Sequence, residues 1–332
     1  MKYLNIVGGG AGHINSILQS MVHHEKQLMH FGKTIEVNKL FKQVLKVNVR
    51  WEQFHKRIAR VAGGMLLTNL AVTTYILVII LHNKVFSYVH YWLLYRLLSN
   101  LCSLRYFETY VVISASKWMF DQLNECLQEV SFLAKRDTGA NELKNRKFGL
   151  YLMEMNYQKP NHQQNVYLKF KIFRSIYNLL WELTKIFNDI FGLSLLVNIG
   201  SDFISFLTLT YWMLTAMTRL SPGLKDFALL FAGFTCLVPY LLNLILICRI
   251  CYLTVQSATR TGLMVHKIPH DSANESHVTQ IEEFSLQLLH QRIAFNALGF
   301  FNIDLNLLYT IAGTTTTYLI ILIQFYLNAE AD

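Results

Sequence analysis

The last apolar run holds two polar pairs, Thr317-Tyr318 and Gln324-Phe325, separated by five aliphatic residues. Thr317, Ile321, Gln324 and Asn328 recur at three- and four-residue intervals, which sets them on one helical face, with Phe325 at its edge. An unbroken apolar core flanked in this way suits a helix that lines something in a membrane. It also fits a helix packing small and polar residues on its neighbours. Asp202 lies in the middle of a second apolar run, where a charge is costly unless it faces protein or water. A structural hydrogen bond to a neighbouring helix suits it slightly better than a functional role. Arg96, Arg105 and Glu108 interrupt a third run. Arg105 and Glu108 stand one turn apart and can pair, and the three read as scaffold rather than ligand contacts.

Other motifs lack the pattern their chemistry needs. Gly8-Gly9-Gly10-Ala11-Gly12 resembles a dinucleotide fingerprint, but His13 takes the place of the last glycine and no βαβ pattern follows. His24-Glu25 starts a zinc HExxH, but Leu28 occupies the second histidine's position. His266 and His270 are separated by Pro269, which breaks any helix that would align them. Cys248 and Cys251 share a helical face as buried thiols, and Cys102, Cys126 and Cys236 also lie in or near apolar stretches. No metal site, no cofactor and no catalytic constellation is expected, and the chain does not read as an enzyme.

The elements that position these residues follow from composition. The chain has 332 residues, 53% hydrophobic and 15% charged, against roughly 25% charge in an average soluble domain. A net charge of +9 raises the question of nucleic acid, but no basic patch with interleaved aromatics exists and no nucleic-acid partner is expected. The fold class is all-α, a polytopic helical membrane protein embedded in the lipid bilayer. Stretches long enough for a bilayer core run from Gly63 to Leu81, about Val85 to Ile113, Phe191 to Leu214, Phe227 to Cys248 and about Leu305 to Leu327, giving five spans. Lys and Arg are rich in segments 1–60 and 114–190 and sparse in the short link at Lys84 and in the tail, so a cytoplasmic N-terminus and an extracellular C-terminus are expected. The sequon Asn274-Glu275-Ser276 then falls inside the cell and should carry no glycan. Two amphipathic helices, one through Leu123, Leu127, Val130 and Ala134 and one through Ile176, Leu179, Leu180, Leu183 and Ile186, extend the spans below the membrane. The polar patch from Asp137 to Asn145 is expected to separate them.

Gly299-Phe300-Phe301-Asn302-Ile303-Asp304, then Leu307-Leu308, then Thr317-Tyr318 with Gln324-Phe325, resembles the C-terminal signature of the insect gustatory receptors. Asn188-Asp189-Ile190-Phe191-Gly192 resembles that family's approach to its fifth helix, and Arg105-Tyr106-Phe107 with Leu123-Asn124 the end of its fourth. The resemblance reaches across residues 60–332. It implies a seven-span, ligand-gated, nonselective cation channel in the plasma membrane, a homo- or heterotetramer with other gustatory receptors that detects small-molecule tastants, bitter compounds among them. The five spans match the family's third to seventh, so the chain is expected to begin two spans late. Carried over, the chain divides into a cytoplasmic amphipathic segment (1–60), two spans (61–119), a cytoplasmic helical loop (120–190), two spans (191–253), a cytoplasmic loop with an anchor helix (254–304), and a pore-lining last span with an extracellular tail (305–332).

The resemblance further implies an anchor over about Ile281 to Leu308 and a pore helix over about Thr314 to Leu327. Four copies would then set Ile321 and Phe325 in a ring that gates by dewetting, with Thr317 and Gln324 beside the ions and Tyr318 at the margin. For a pocket in the outer half of the bundle, the aromatic candidates are Tyr75, Tyr91, Trp92, Tyr211, Trp212, Phe234 and Tyr240, with Asp202 deeper. Each aromatic also fits an interface belt. An odorant receptor-type channel is the nearest alternative. A G-protein-coupled receptor would need the opposite orientation, and a membrane transporter would show internal repeats with broken helices.

Overall fold

A computed structural model describes residues 24–47, 50–82, 89–147, 160–219, 224–268 and 275–331. Among them the chain is helical, with a single isolated bridge between Asn296 and Asn302. The helices are α1 (His24–Lys39), α2 (Trp51–His82), α3 (Val89–Lys147), α4 (Pro160–Arg219), α5 (Leu224–His266), α6 (Glu275–His290) and α7 (Leu305–Ala331). The glycine run Gly8–Gly12 and the sequon's Asn274 lie outside the described residues.

α3, α4 and α5 are far longer than a bilayer needs, because their apolar halves run on unbroken into amphipathic halves, α5 with Pro239 inside its apolar half. Those extensions pack together as a base. Phe120, Leu123 and Leu127 of α3 meet Phe173, Ile176, Leu180 and Leu183 of α4 and Phe284 of α6 in one buried cluster. α1 lies along α4, held by Lys26 to Asp189 at 3.0 Å and by Lys33 to Glu182, and it buries Val37. A π turn, Leu40–Val44, follows α1 and seals Phe41 in the same core.

Among the described residues, four helices are long and apolar enough to cross a membrane, with spans within α2, α4, α5 and α7. The expected span from Val85 to Ile113 is helical from Val89 onward but is too polar to join that set. Its two arginines point inward while Glu108 stays exposed, and the inner face is polar: Arg96, Ser99, Ser103, Arg105, Tyr106 and Thr109 are all buried. The polar patch from Asp137 to Asn145 does not break the helix. α3 runs through it to Lys147, since the patch holds no proline and its one glycine costs about 1 kcal/mol.

The expected anchor, Ile281 to Leu308, is not one helix. α6 ends at His290, and residues 291–304 form a tight joint before α7. Leu298 and Gly299 both take positive φ, 52° and 80°, closing a two-residue turn in which Phe300 N donates to Ala297 O at 3.0 Å. α4 grips this joint. Asn188 donates to Ala294 O at 2.8 Å and accepts from Asn296 N at 3.2 Å. A Cβ at Gly192 would stand 3.1 Å from Leu298 N, so only glycine lets the joint sit this close. Asp304 then starts α7 by accepting from the backbone N–H groups of Asn306 and Leu307 at 2.9 and 3.1 Å.

Candidate functional site

α7 rests on the bundle along one narrow stripe. Leu308 and Ile311 pack on the core, Thr315 is buried, and Leu319, Leu322 and Tyr326 are half-buried. The opposite side holds Asn306, Thr310, Thr317, Ile321, Gln324 and Asn328, all exposed. The predicted face therefore points directly away from the chain's own helices. Within the span of α7 only Leu307 and Thr315 are buried. Thr310 and Thr317 satisfy their hydroxyls on the carbonyls of Asn306 and Gly313, whereas the side chains of Gln324 and Asn328 project outward. Phe325 is 70% exposed at the edge of the face, and Tyr318 stands half-exposed on its flank.

Inside the bundle, the polar face of α3 meets polar groups from three helices. Tyr106 Oη donates to Asp202 Oδ2 of α4 at 2.7 Å, and Asn243 of α5 donates to Ser103 Oγ at 3.0 Å. Arg105 pairs with Glu108, donates to Ser194 Oγ at 3.2 Å and stacks 4.7 Å over the Phe191 ring. Arg96 donates to Thr73 Oγ1 at 3.2 Å and to Asn69 O at 3.3 Å on α2. Asp202 thus has the structural hydrogen bond that a carboxylate at that depth calls for.

The candidate pocket aromatics do not all face inward. Tyr75 of α2 meets Phe231 of α5 edge-on, with centroids 5.6 Å apart. Trp212 and Met213 close over Gly233, where a Cβ would come within 3.1 and 3.0 Å of them. Tyr240 is buried and Tyr211 half-buried, while Phe234 is 57% exposed. The side chains of Tyr91 and Trp92 lie outside the described residues, as does His270. Among the described residues no group of His, Cys, Asp and Glu could hold a metal.

A model of the 7tm chemosensory receptor family matches residues 11–329. The chain belongs to that family. The receptor is 29% identical to gustatory receptor 2a of Drosophila melanogaster, over 99% of its own length and 78% of that protein's. It is 32% identical to gustatory receptor 23a of the same fly over 51% of this chain and 44% of that one. With the fly's gustatory receptor for bitter taste 66a it shares 40% identity over 23% of this chain and 15% of that one. Its fold is similar to that of the olfactory receptor OR5 of Machilis hrabei in complex with eugenol, with a TM-score of 0.57 at 10% identity, covering 98% of this chain and 87% of that one. The receptor is accordingly a multi-pass membrane protein of the insect chemosensory type.

The neutral hydrogen-bonding groups of the receptor's interior, Asn69, Thr73, Ser103, Ser194 and Asn243, were not among the sequence candidates. Asn69 and Thr73 stand four apart on α2, and Arg96, Ser99, Ser103 and Tyr106 recur at three or four on α3. Polar spacing of that kind inside an apolar run is the signal that would have found them.

Proposed function

We propose that the receptor is a gustatory-type subunit of a ligand-gated, nonselective cation channel in the plasma membrane, assembled as a homo- or heterotetramer with other gustatory receptors. One observation carries this reading. The face of α7 opposite its packed stripe holds Asn306, Thr310, Thr317, Gln324 and Asn328. Amides at membrane depth are expensive against lipid, so this face calls for protein or water. A central pore shared by several copies supplies both. Ile321 and Phe325 are then the constriction that dewets when closed, and Gln324 hydrates passing ions when open. Small-molecule tastants, bitter compounds among them, bind within the bundle near Tyr75 and shift the closed–open equilibrium through their differential affinity for the open state.

In this reading the N-terminus and the base formed by α1 and α6 are cytoplasmic, and α7 runs outward to an extracellular C-terminus. The divisions are 1–60, 61–119, 120–190, 191–253, 254–304 and 305–332, with the last carrying the pore wall. The gustatory relatives favour this assignment over the odorant branch, since the likeness to OR5 speaks for the fold alone. The test is co-expression of the full chain with partner gustatory subunits and single-channel recording under a tastant panel. Gln324→Ala is expected to change conductance while the tastant concentration for half-activation stays put. An unchanged conductance in both Gln324→Ala and Thr317→Val channels refutes the pore face.

A further inference from the structure

Among the described residues, two arginines are buried in the bundle, Arg96 and Arg105, and only Arg105 has an ion-pair partner. Arg105 has Glu108 and the Phe191 ring. Arg96 is 2% exposed and has neutral partners, Thr73 and Asn69, on one arm of its guanidinium. Its other terminal nitrogen, Nη1, is buried with no hydrogen-bond partner. One turn further along α3, on the same face, Asn100 Oδ1 is likewise buried and unpartnered. An arginine cannot shed its proton to escape such a site. A buried cation facing only neutral groups is costly, and an orphaned N–H adds its own desolvation penalty. Val72 and Ile76 of α2 are buried on the turns around Asn69 and Thr73 and add apolar surface to that face of α2.

We propose that Arg96 and Asn100 form an acceptor-and-anion subsite of the ligand pocket, and that it takes small organic acids. The carboxylate lies on Arg96 Nη1, a neighbouring donor of the ligand meets Asn100 Oδ1, and an apolar body lies against Val72 and Ile76. Thr73 and Asn69 are positioning groups that fix the guanidinium plane and leave its free edge for the ligand. This rests on the receptor reading above, deepens it to a ligand class, and needs nothing of the pore.

The test uses the full chain in phosphatidylcholine nanodiscs, titrated with benzoate, phenylacetate and hexanoate, each beside its own amide, with thermal unfolding as the readout. At least one acid should bind about 30-fold tighter than its amide, the loss expected when a buried charge lacks its partner. Arg96→Gln should erase that preference and raise the melting temperature of the ligand-free protein, because an uncompensated charge leaves the core. Asn100→Leu should weaken the preferred acid about fivefold, the size of one hydrogen bond. Three results overturn the inference: no acid outbinds its amide, the preference survives in Arg96→Gln, or stabilisation appears only when phosphatidylserine is added and never with the acids. Should Arg96→Gln fail to fold, the wild-type acid-against-amide comparison and Asn100→Leu decide alone. Acid selectivity without currents counts against the pore only; currents without acid selectivity count against this subsite only.

Discussion

At the base, Phe120, Leu123, Leu127, Phe173, Leu180 and Phe284 are sealed from solvent, while along α7 Tyr309, Ile320, Ile321, Phe325 and Leu327 are left uncovered by the rest of the chain. Both regions are rich in large apolar side chains, so composition does not separate them. The surrounding medium does. At the base the chain meets water, and burying apolar surface within itself is worth roughly 25 cal/mol per Å². In the spans lipid is as apolar as leucine, and covering aliphatic side chains with other helices gains little. What must be hidden there is polar, which is why Arg96, Ser103, Tyr106 and Asp202 turn inward. α7 shows neither pattern fully, since its uncovered side is partly polar, and the proposed assembly around a shared pore rests on that mixture.

The sharpest way to break this contrast is a pair of truncations. Phe173→Ala at the base should cost about 3–5 kcal/mol, whereas Phe325→Ala on α7 should fall within about 0.5 kcal/mol for the isolated chain. Thermal unfolding in detergent measures both, and equal losses would remove the distinction. Next in size, Tyr106→Phe strands the Asp202 carboxylate inside the spans and should cost about 1–3 kcal/mol. Adding Asp202→Leu to it should recover part of that loss, a coupling that a double-mutant cycle reads directly. A comparable or smaller cost, about 1–3 kcal/mol, is expected for Gly192→Ala, which forces the joint away from α4. Faster amide exchange in residues 293–303 would show it.

The smallest effect concerns α1 and pH. His30 is half-buried with its Nε2 unpartnered, and burial pushes its imidazole from the ordinary 6.5 down to about 4. A depressed folded value means that the unfolded chain takes up the proton first as pH falls. The stability that α1 gains from neutral His30 is therefore present above pH 6.5 and is lost between there and about 4. Hydrogen exchange within 24–39 should quicken over that window in the wild type and stay flat in His30→Leu.

Much of this was written in the chain. Apolar runs of bilayer length match four of the five expected spans to helices long and apolar enough to cross, and the amphipathic spacing through Leu123–Val130 and Ile176–Ile186 gave the base, because periodicity and length are local properties. The α7 face was legible for the same reason. Two features were not. Phe300-Phe301 and Ile303 look like a continuing helix, yet Leu298-Gly299 and the grip of Asn188 convert them into a turn. Nor does spacing on one helix reveal which helix answers it: that Asn69 with Thr73 faces Arg96, and Asn243 faces Ser103, became legible only in the structure.

The grip of α4 on the joint has a mechanical consequence. Asn188 fastens both a carbonyl and an amide of the segment below α7, and Gly192 brings Leu298 against the same helix. α4 runs unbroken from the base through its span, with the fastening at Asn188 and Gly192 near its middle and Asp202 about three turns beyond Gly192. A tilt imposed near Asp202 is therefore delivered to the foot of α7 as a crank delivers rotation, with no slack at the coupling pin.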